Sequence, residues 1–205
     1  ALYAENQLYV LLTDFWFNHF NVSFTDNPVR QHLLAYERDA VAFVKGSKTA
    51  GVYHGPVEIW SSPGVRQAAG ECRHGKPEGR WTLWDDSGVK VAELTYRDGY
   101  FEGSIAFWHG AKAGPKLKGK LKCRGSFADG RWHGLVRTFW PDGRIRSERT
   151  YEADTVVAAQ AFDPQGGALA EEEARKVAAA DEQQDNDLLD ALDEYIRRWI
   201  GPPAA

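Results

Sequence analysis

The chain has 205 residues, of which 43% are apolar and 26% charged, with 2 cysteines and no methionine. That apolar share is enough to bury a core, which excludes a disordered chain, and no apolar run approaches the roughly 20 residues of a membrane-spanning helix. The net charge of -4 divides as -1 over residues 1–50, +3 over 51–165 and -6 over 166–205, so the acidity lies in the tail. Cys72 and Cys123 stand in no metal-ligand spacing and imply neither a disulfide framework nor a zinc site, which leaves the redox compartment open. The first residues lack the basic-then-apolar order of a signal peptide, and a chain beginning at Ala1 without methionine suits a processed or excised piece.

Residues 1–48 are expected to form a two-helix segment. "AENQLYVLLTDFWFNHF" has a helical apolar stripe with an aromatic cluster, and "DNPVRQHLLAYERDAVAFV" offers Asp26 or Asn27 as a cap with Pro28 in its first turn. The phrases "LLTDFWFNHFNV" and "YERDAV" resemble a segment of a bacterial family called domain of unknown function 1800, over roughly 40 residues. That resemblance implies a place in a bacterial envelope enzyme or complex. The two helices are expected to cover the first edge of whatever sheet follows.

From 51 to 165 one phrase is written four times. Its glycines are Gly55, Gly79, Gly103 and Gly134, and five residues after each comes Trp60, Trp84, Trp108 or Phe139, the last followed by Trp140. Gly64, Gly88 and Gly143 stand nine after the first glycine, while the third copy carries the insertion "AKAGPKLKGK" at 111–120. Allowing for it, a later slot reads Cys72, Tyr96, Phe127 and Tyr151, which makes Cys72 a buried substitute for an aromatic, and a final turn slot reads Gly75, Gly99, Gly130 and Asp154. Two apolar runs bounded by turn residues predict a β-hairpin, and four in a row predict a meander of about eight strands.

The phrases "YHGPVEIW", "PEGRWTLW", "FEGSIAFW" and "WHGLVRTFW", with "RDG", "ADG" and "PDG", resemble the MORN repeats, most closely a bacterial variant described as an antitoxin component. The resemblance implies stacked hairpins in an antiparallel sheet and a scaffold that binds proteins, self-associates or touches lipid. The third copy departs by its insertion and the fourth by Asp154, both in turns.

Residues 168–201 are expected to be a helical tail, first "ALAEEEARKVAAADEQQ" and then "NDLLDALDEYIRRWIG". Leu188, Leu189, Leu192, Tyr195, Ile196 and Trp199 recur at helical steps, and Gly201 and Pro202 end the run. This helix either caps the last hairpin or docks into a partner. The fold class is therefore mainly β with flanking α, four MORN-like hairpins with helices at both ends.

No catalytic site emerges. His54, Glu78, Glu102 and His133 share one repeat slot, but neighbours two strands apart lie about 10 Å from each other, too far to share a zinc ion, so they are expected to be solvated turn residues. His19 is expected in the core or at a helix end, and His32, His74 and His109 have no partner that would set up a base. Neither a nucleophile motif nor a phosphate loop is present, so no enzyme activity, metal or cofactor is expected.

Binding is the better expectation. Trp60, Trp84, Trp108 and Phe139 are expected to line one face of the sheet, and Trp60, Trp84, Trp108, Trp140 and, on the tail helix, Trp199 are the candidate anchors of a protein interface or of self-association. Lys112, Lys116, Lys118, Lys120, Lys122 and Arg124 make 111–124 a basic stretch suited to an anionic membrane surface, an extended solvated hairpin, or the chain's own acidic 181–194; nucleic acid is not expected. The readings in order are a non-catalytic protein-binding or assembly scaffold, a peripheral membrane adaptor, and an envelope component, in the bacterial cytoplasm or the cell envelope.

Overall fold

The computed structural model describes residues 43–61 and 64–201; the two helices expected ahead of them lie outside the described residues. Twelve strands follow in chain order: β1 (Phe43–Thr49), β2 (Val52–Trp60), β3 (Arg66–Arg73), β4 (Lys76–Trp84), β5 (Lys90–Arg97), β6 (Tyr100–Phe101), β7 (Gly103–Trp108), β8 (Leu121–Ala128), β9 (Arg131–Trp132), β10 (Gly134–Phe139), β11 (Ile145–Glu152) and β12 (Thr155–Ala161). They form one open antiparallel sheet, with β6 and β9 prolonging β7 and β10 on the same neighbours. A single helix, α1 (Glu171–Ile200), follows.

The count exceeds the eight expected for two reasons. β1 and β12 flank the four hairpins although neither contains the repeated phrase, and β1 takes residues up to 48 that the sequence assigned to the amino-terminal segment. The third and fourth units are also interrupted just before Gly103 and Gly134.

The four hairpins share one register. Gly55 faces Cys72, Gly79 faces Tyr96, Gly103 faces Phe127 and Gly134 faces Tyr151. Each hairpin also has a register shift beside Trp60, Trp84, Trp108 or Phe139. In the second, Gly88 at φ 72° donates its amide to the Asp85 carbonyl at 2.8 Å, a tight turn closed by a glycine bulge. At the opposite end, Asp98 and Gly99 at φ 50° and 86° make a two-residue turn whose mirror-image geometry matches strand twist. Ala153 and Asp154 fill that turn in the last hairpin at φ 47° and 68°, so Asp154 replaces glycine without changing the turn.

Alternation sorts the side chains. Val57, Ile59, Trp81, Leu83, Leu94, Tyr96, Ile105, Phe107 and Val136 are buried on one face, the inner face. Trp81 and Leu83 therefore share a side. Tyr96, Phe101, Phe127, Trp132 and Tyr151 form a chain of ring contacts at 4.3 to 5.7 Å along one end of that face. Cys72, 3% exposed, is the buried residue that continues this row where no aromatic stands. Gly70 is the seat of the Trp81 ring: a Cβ there would meet Trp81 Cδ2 at 2.3 Å.

The tail is one helix rather than two successive pieces, because nothing between Glu171 and Ile200 breaks it. Its inward stripe, Ala174, Ala178, Asp181, Asp185, Leu189, Ile196 and Ile200, keeps helical spacing. At 1.5 Å per residue α1 is about 45 Å long, and ten strand positions at 4.8 Å measure about 43 Å, so the helix can cross the whole inner face. It does so from β11 and β12 at its start to β4 and β2 at its end. α1 packs on β12 and β11, as a helix on the last hairpin would, and continues across the face, where its apolar stripe has the most area to bury; among the described residues β12 pairs only with β11. Among the described residues, no helix is long and apolar enough to cross a membrane.

Candidate functional site

The inner face is closed by packing and by polar clamps. Arg149 on β11, 1% exposed, donates to Asp185 Oδ2 at 2.5 Å and to Thr138 Oγ1 at 2.9 Å. Burial alone would lower the Arg149 pKa, but the Asp185 carboxylate overrides it and holds the guanidinium above its ordinary value. Ser147 donates to Asp181 at 2.7 Å, and Arg146 reaches the other oxygen of that carboxylate at 3.2 Å. Burial still pushes the Asp181 carboxyl up against these partners. Further along, Trp132 Nε1 donates to Asn186 and Tyr96 Oη to Asp193.

Asp181, Asp185 and Asp193 of the tail are thus engaged by Arg146, Arg149 and Arg197, and among the described residues no ion pair joins 181–194 to the lysine-rich insertion, the third of the readings offered for it. Burial drives the Cys72 thiol up to about 12 and Cys123 well above its usual value, so neither is a nucleophile at neutral pH. Trp199 is half-buried, packs on this core and meets Tyr195 edge-on at 6.5 Å. The face α1 presents to the sheet is the one read as a docking surface.

The outer face carries Trp60, Trp84, Trp108 and Phe139, all half-buried beside the bulges. Cations lie over them: Arg66 at 4.4 Å from the Trp84 ring, Lys90 at 3.7 Å from Trp108 and Arg124 at 5.8 Å from Phe139. Glu58 accepts from both Trp60 Nε1 at 3.3 Å and Arg66 at 3.1 Å. Trp140 lies past the strand, donates to the Phe162 carbonyl at 3.1 Å and has Arg146 5.0 Å above its ring. Three of the four sheet tryptophans therefore occupy equivalent places, and Trp140 fills a neighbouring one.

The insertion is compact and tethered. Ala111–Ala113 is a 3₁₀ turn, and Asp85 in the preceding hairpin accepts amides from Ala111 at 2.6 Å, Ser87 at 2.9 Å and Val89 at 3.0 Å. Burial would raise the Asp85 carboxyl, but these amides, aided by the charge of Lys118, hold it below its ordinary value. The hairpin expected here is solvated, as seven of the ten residues 111–120 are exposed, but it is a compact loop tethered through Ala111 rather than an extended one. Lys112, Lys116, Lys118 and Lys120 are exposed and form no ion pair among the described residues. Burial, and then the charge of Lys122, keeps His109 below the usual imidazole value, so it adds no charge at neutral pH.

The row of His54, Glu78, Glu102 and His133 is more engaged than solvated turn residues would be. Glu78 accepts the Asp98 amide at 2.8 Å and Glu102 the Asp129 amide at 2.9 Å, each bracing the following turn, while His54 meets His74 at 5.1 Å. Among the described residues no group of three His, Cys, Asp or Glu is placed to hold a metal ion.

At the centre of the outer face is an open depression of about 400 Å³ bordered by Arg80, Arg124 and Arg137, with Ala106, Ser104 and Ser126 among its small lining residues. The arginines are carried by β4, β8 and β10, and the sequence reading singled out only Arg124, for its place in the lysine run. The signal was strand parity: Arg80 and Arg137 each lie next to a buried inner-face residue, Trp81 and Val136.

No family model matches the chain, and no curated protein matches it. A solved structure described as the crystal structure of TarM is similar at 12% identity and a TM-score of 0.26, over 77% of this chain and 24% of that one. The chain spans about a quarter of that chain, and a likeness this loose carries no argument about fold or function.

Proposed function

We propose that the protein is a protein-binding or assembly scaffold without catalysis of its own, built from four MORN-like hairpin repeats and engaging its partner through the outer sheet face. The repeat reading is supported by the shared register of Gly55, Gly79, Gly103 and Gly134 with Cys72, Tyr96, Phe127 and Tyr151. One observation carries the binding reading: α1 occupies the inner face, while the outer face keeps half-buried tryptophans under cations and is bare of any described element. Large rings with charge beside them supply both the apolar anchor and the orienting contacts of a protein interface.

The test is capture of a partner on the immobilised chain, identification by mass spectrometry, and titration of the purified partner against the chain and its Trp84→Ala/Trp108→Ala variant. Loss of at least about tenfold in affinity is expected for anchoring tryptophans. An unchanged affinity in a folded variant contradicts the reading. Light scattering of the free chain tests self-association on the same face.

A second reading, a peripheral adaptor on anionic lipid, rests on Lys112, Lys116, Lys118 and Lys120, exposed and in no ion pair among the described residues. At about 1 kcal/mol per basic residue near a charged surface, replacing Lys116, Lys118 and Lys120 by glutamine should abolish sedimentation with phosphatidylserine vesicles. Equal sedimentation of the variant removes this reading.

A further inference from the structure

On the reading that the outer face binds a protein, we infer that its central depression receives an acidic, extended peptide segment of the partner, held by Arg80, Arg124 and Arg137. The first argument is charge. Arg124 on β8 and Arg137 on β10 are direct cross-strand partners, a like-charge pairing that weakens a sheet. Glu148 neutralises Arg137 at 2.6 Å, and Glu93, the acid at the border, is taken by Lys90 at 3.1 Å. Arg124 is left with only the Phe139 ring at 5.8 Å, and Arg80 forms no ion pair among the described residues. Two guanidinium groups in no ion pair among the described residues therefore face one open space whose bordering carboxylate, Glu93, is already held by Lys90, an arrangement that an incoming anion relieves.

The second argument is size. β4 and β10 are four strand positions apart, so Arg80 and Arg137 are separated by about 19 Å across the sheet at 4.8 Å per step. A single phosphate or carboxylate cannot bridge that span, whereas about six extended residues at 3.3 Å each cover it. Ala106, Ser104 and Ser126 leave room for a backbone to enter. The lysines of the insertion follow the bulge after Trp108, so the arginine depression and the lysine cluster are separate and can be tested separately.

The probe is a fluorescein-labelled hexapeptide alternating glutamate and serine, with a glutamine-for-glutamate control, read by anisotropy against the full chain. Arg80→Gln/Arg124→Gln is expected to weaken binding by about tenfold or more, as loss of two charge-assisted contacts requires. Arg124→Lys keeps the charge but loses the fork and should fall between the two. Lys116→Gln/Lys118→Gln/Lys120→Gln, which removes more charge, should weaken it by less than about threefold because those lysines act only through screened solvent.

The inference is overturned if the peptide fails to bind, if the control binds equally, if the lysine variant loses as much as the arginine variant, or if inorganic phosphate at millimolar concentration displaces the peptide completely. Arg124→Gln relieves the repulsion and should fold at least as stably as the parent, and urea unfolding of each variant separates a loss of binding from a loss of fold. A partner captured through the tryptophans with no peptide binding leaves the scaffold reading standing and sinks this one. Peptide binding through the arginines with no partner captured does the reverse.

Discussion

The two faces of the sheet use arginine on opposite terms. Arg149 points inward from β11, is 1% exposed and is matched by Asp185 on the helix; Arg124 points outward from β8, is exposed and faces another arginine. On the inner face, desolvation makes any unmatched charge expensive, so every inward acid of α1 near β11 has a guanidinium or hydroxyl opposite it. On the outer face, water screens the repulsion and an unmatched charge costs little. Unmatched charge can therefore persist on the outer side only, and the difference can be tested residue by residue.

The largest effect should come from breaking the inner match. Arg149→Ala leaves Asp185 buried and uncompensated, and should cost about 3 to 5 kcal/mol in urea unfolding. Arg149→Met/Asp185→Leu removes both charges and should recover most of that loss, since a buried pair replaced by apolar residues is often neutral. If the double variant is as unstable as the single one, the clamp is doing more than matching charge.

Asp181 sharpens the comparison through pH. Its folded pKa lies above the unfolded value, so the folded state holds the proton more tightly, and its contribution to stability declines as pH rises from about 4 through the folded value. Asp181→Asn should remove that decline, so its advantage over the parent grows across this window. A difference between the two proteins that stays flat with pH contradicts the assignment.

Asp85 has the opposite sign. Its amide partners hold the folded pKa down, so its stabilisation is present above the unfolded value and is lost as pH falls through the folded one. Asp85→Ala should cost about 1 to 2 kcal/mol at neutral pH for the lost hydrogen bonds to a charged group. It should cost less near pH 3, and should speed amide exchange at Ala111. Unchanged exchange there would mean the insertion is held by something else. Arg124→Gln is the smallest change: relief of a cross-strand repulsion should raise stability by about 0.2 to 1 kcal/mol, and a loss of stability would show that the outer arginines are not in conflict.

The hairpins were legible because their turns need backbone that few residues supply. Gly64, Gly88 and Gly143 and the pairs Asp98-Gly99 and Asp129-Gly130 recur at fixed distance from an aromatic, and all of them have positive φ. β1 and β12 were not legible: "FVKGSKT" and "TVVAAQA" lack that phrase and become strands only by pairing with β2 and β11. The inner match was hidden by composition, since arginine in a strand and aspartate in a helix both read as solvent-facing. Parity held the clue, because Ser147 and Arg149 are four and two residues before the core slot of Tyr151. For the same reason the start of the α1 stripe, written in alanine and aspartate, looked weaker than its leucine-rich end. The outer depression needed the register of five strands, which no local pattern contains.

The central claim is that the outer face receives the partner while the inner face stays closed by the helix. Hydroxyl-radical footprinting of the full chain, with and without a purified partner, reads the two faces through tryptophans of known side. The account predicts protection of Trp84 and Trp108 with Trp81 unchanged. Changed reactivity at Trp199 with none at Trp84 or Trp108 would contradict it and move the binding site to the tail helix.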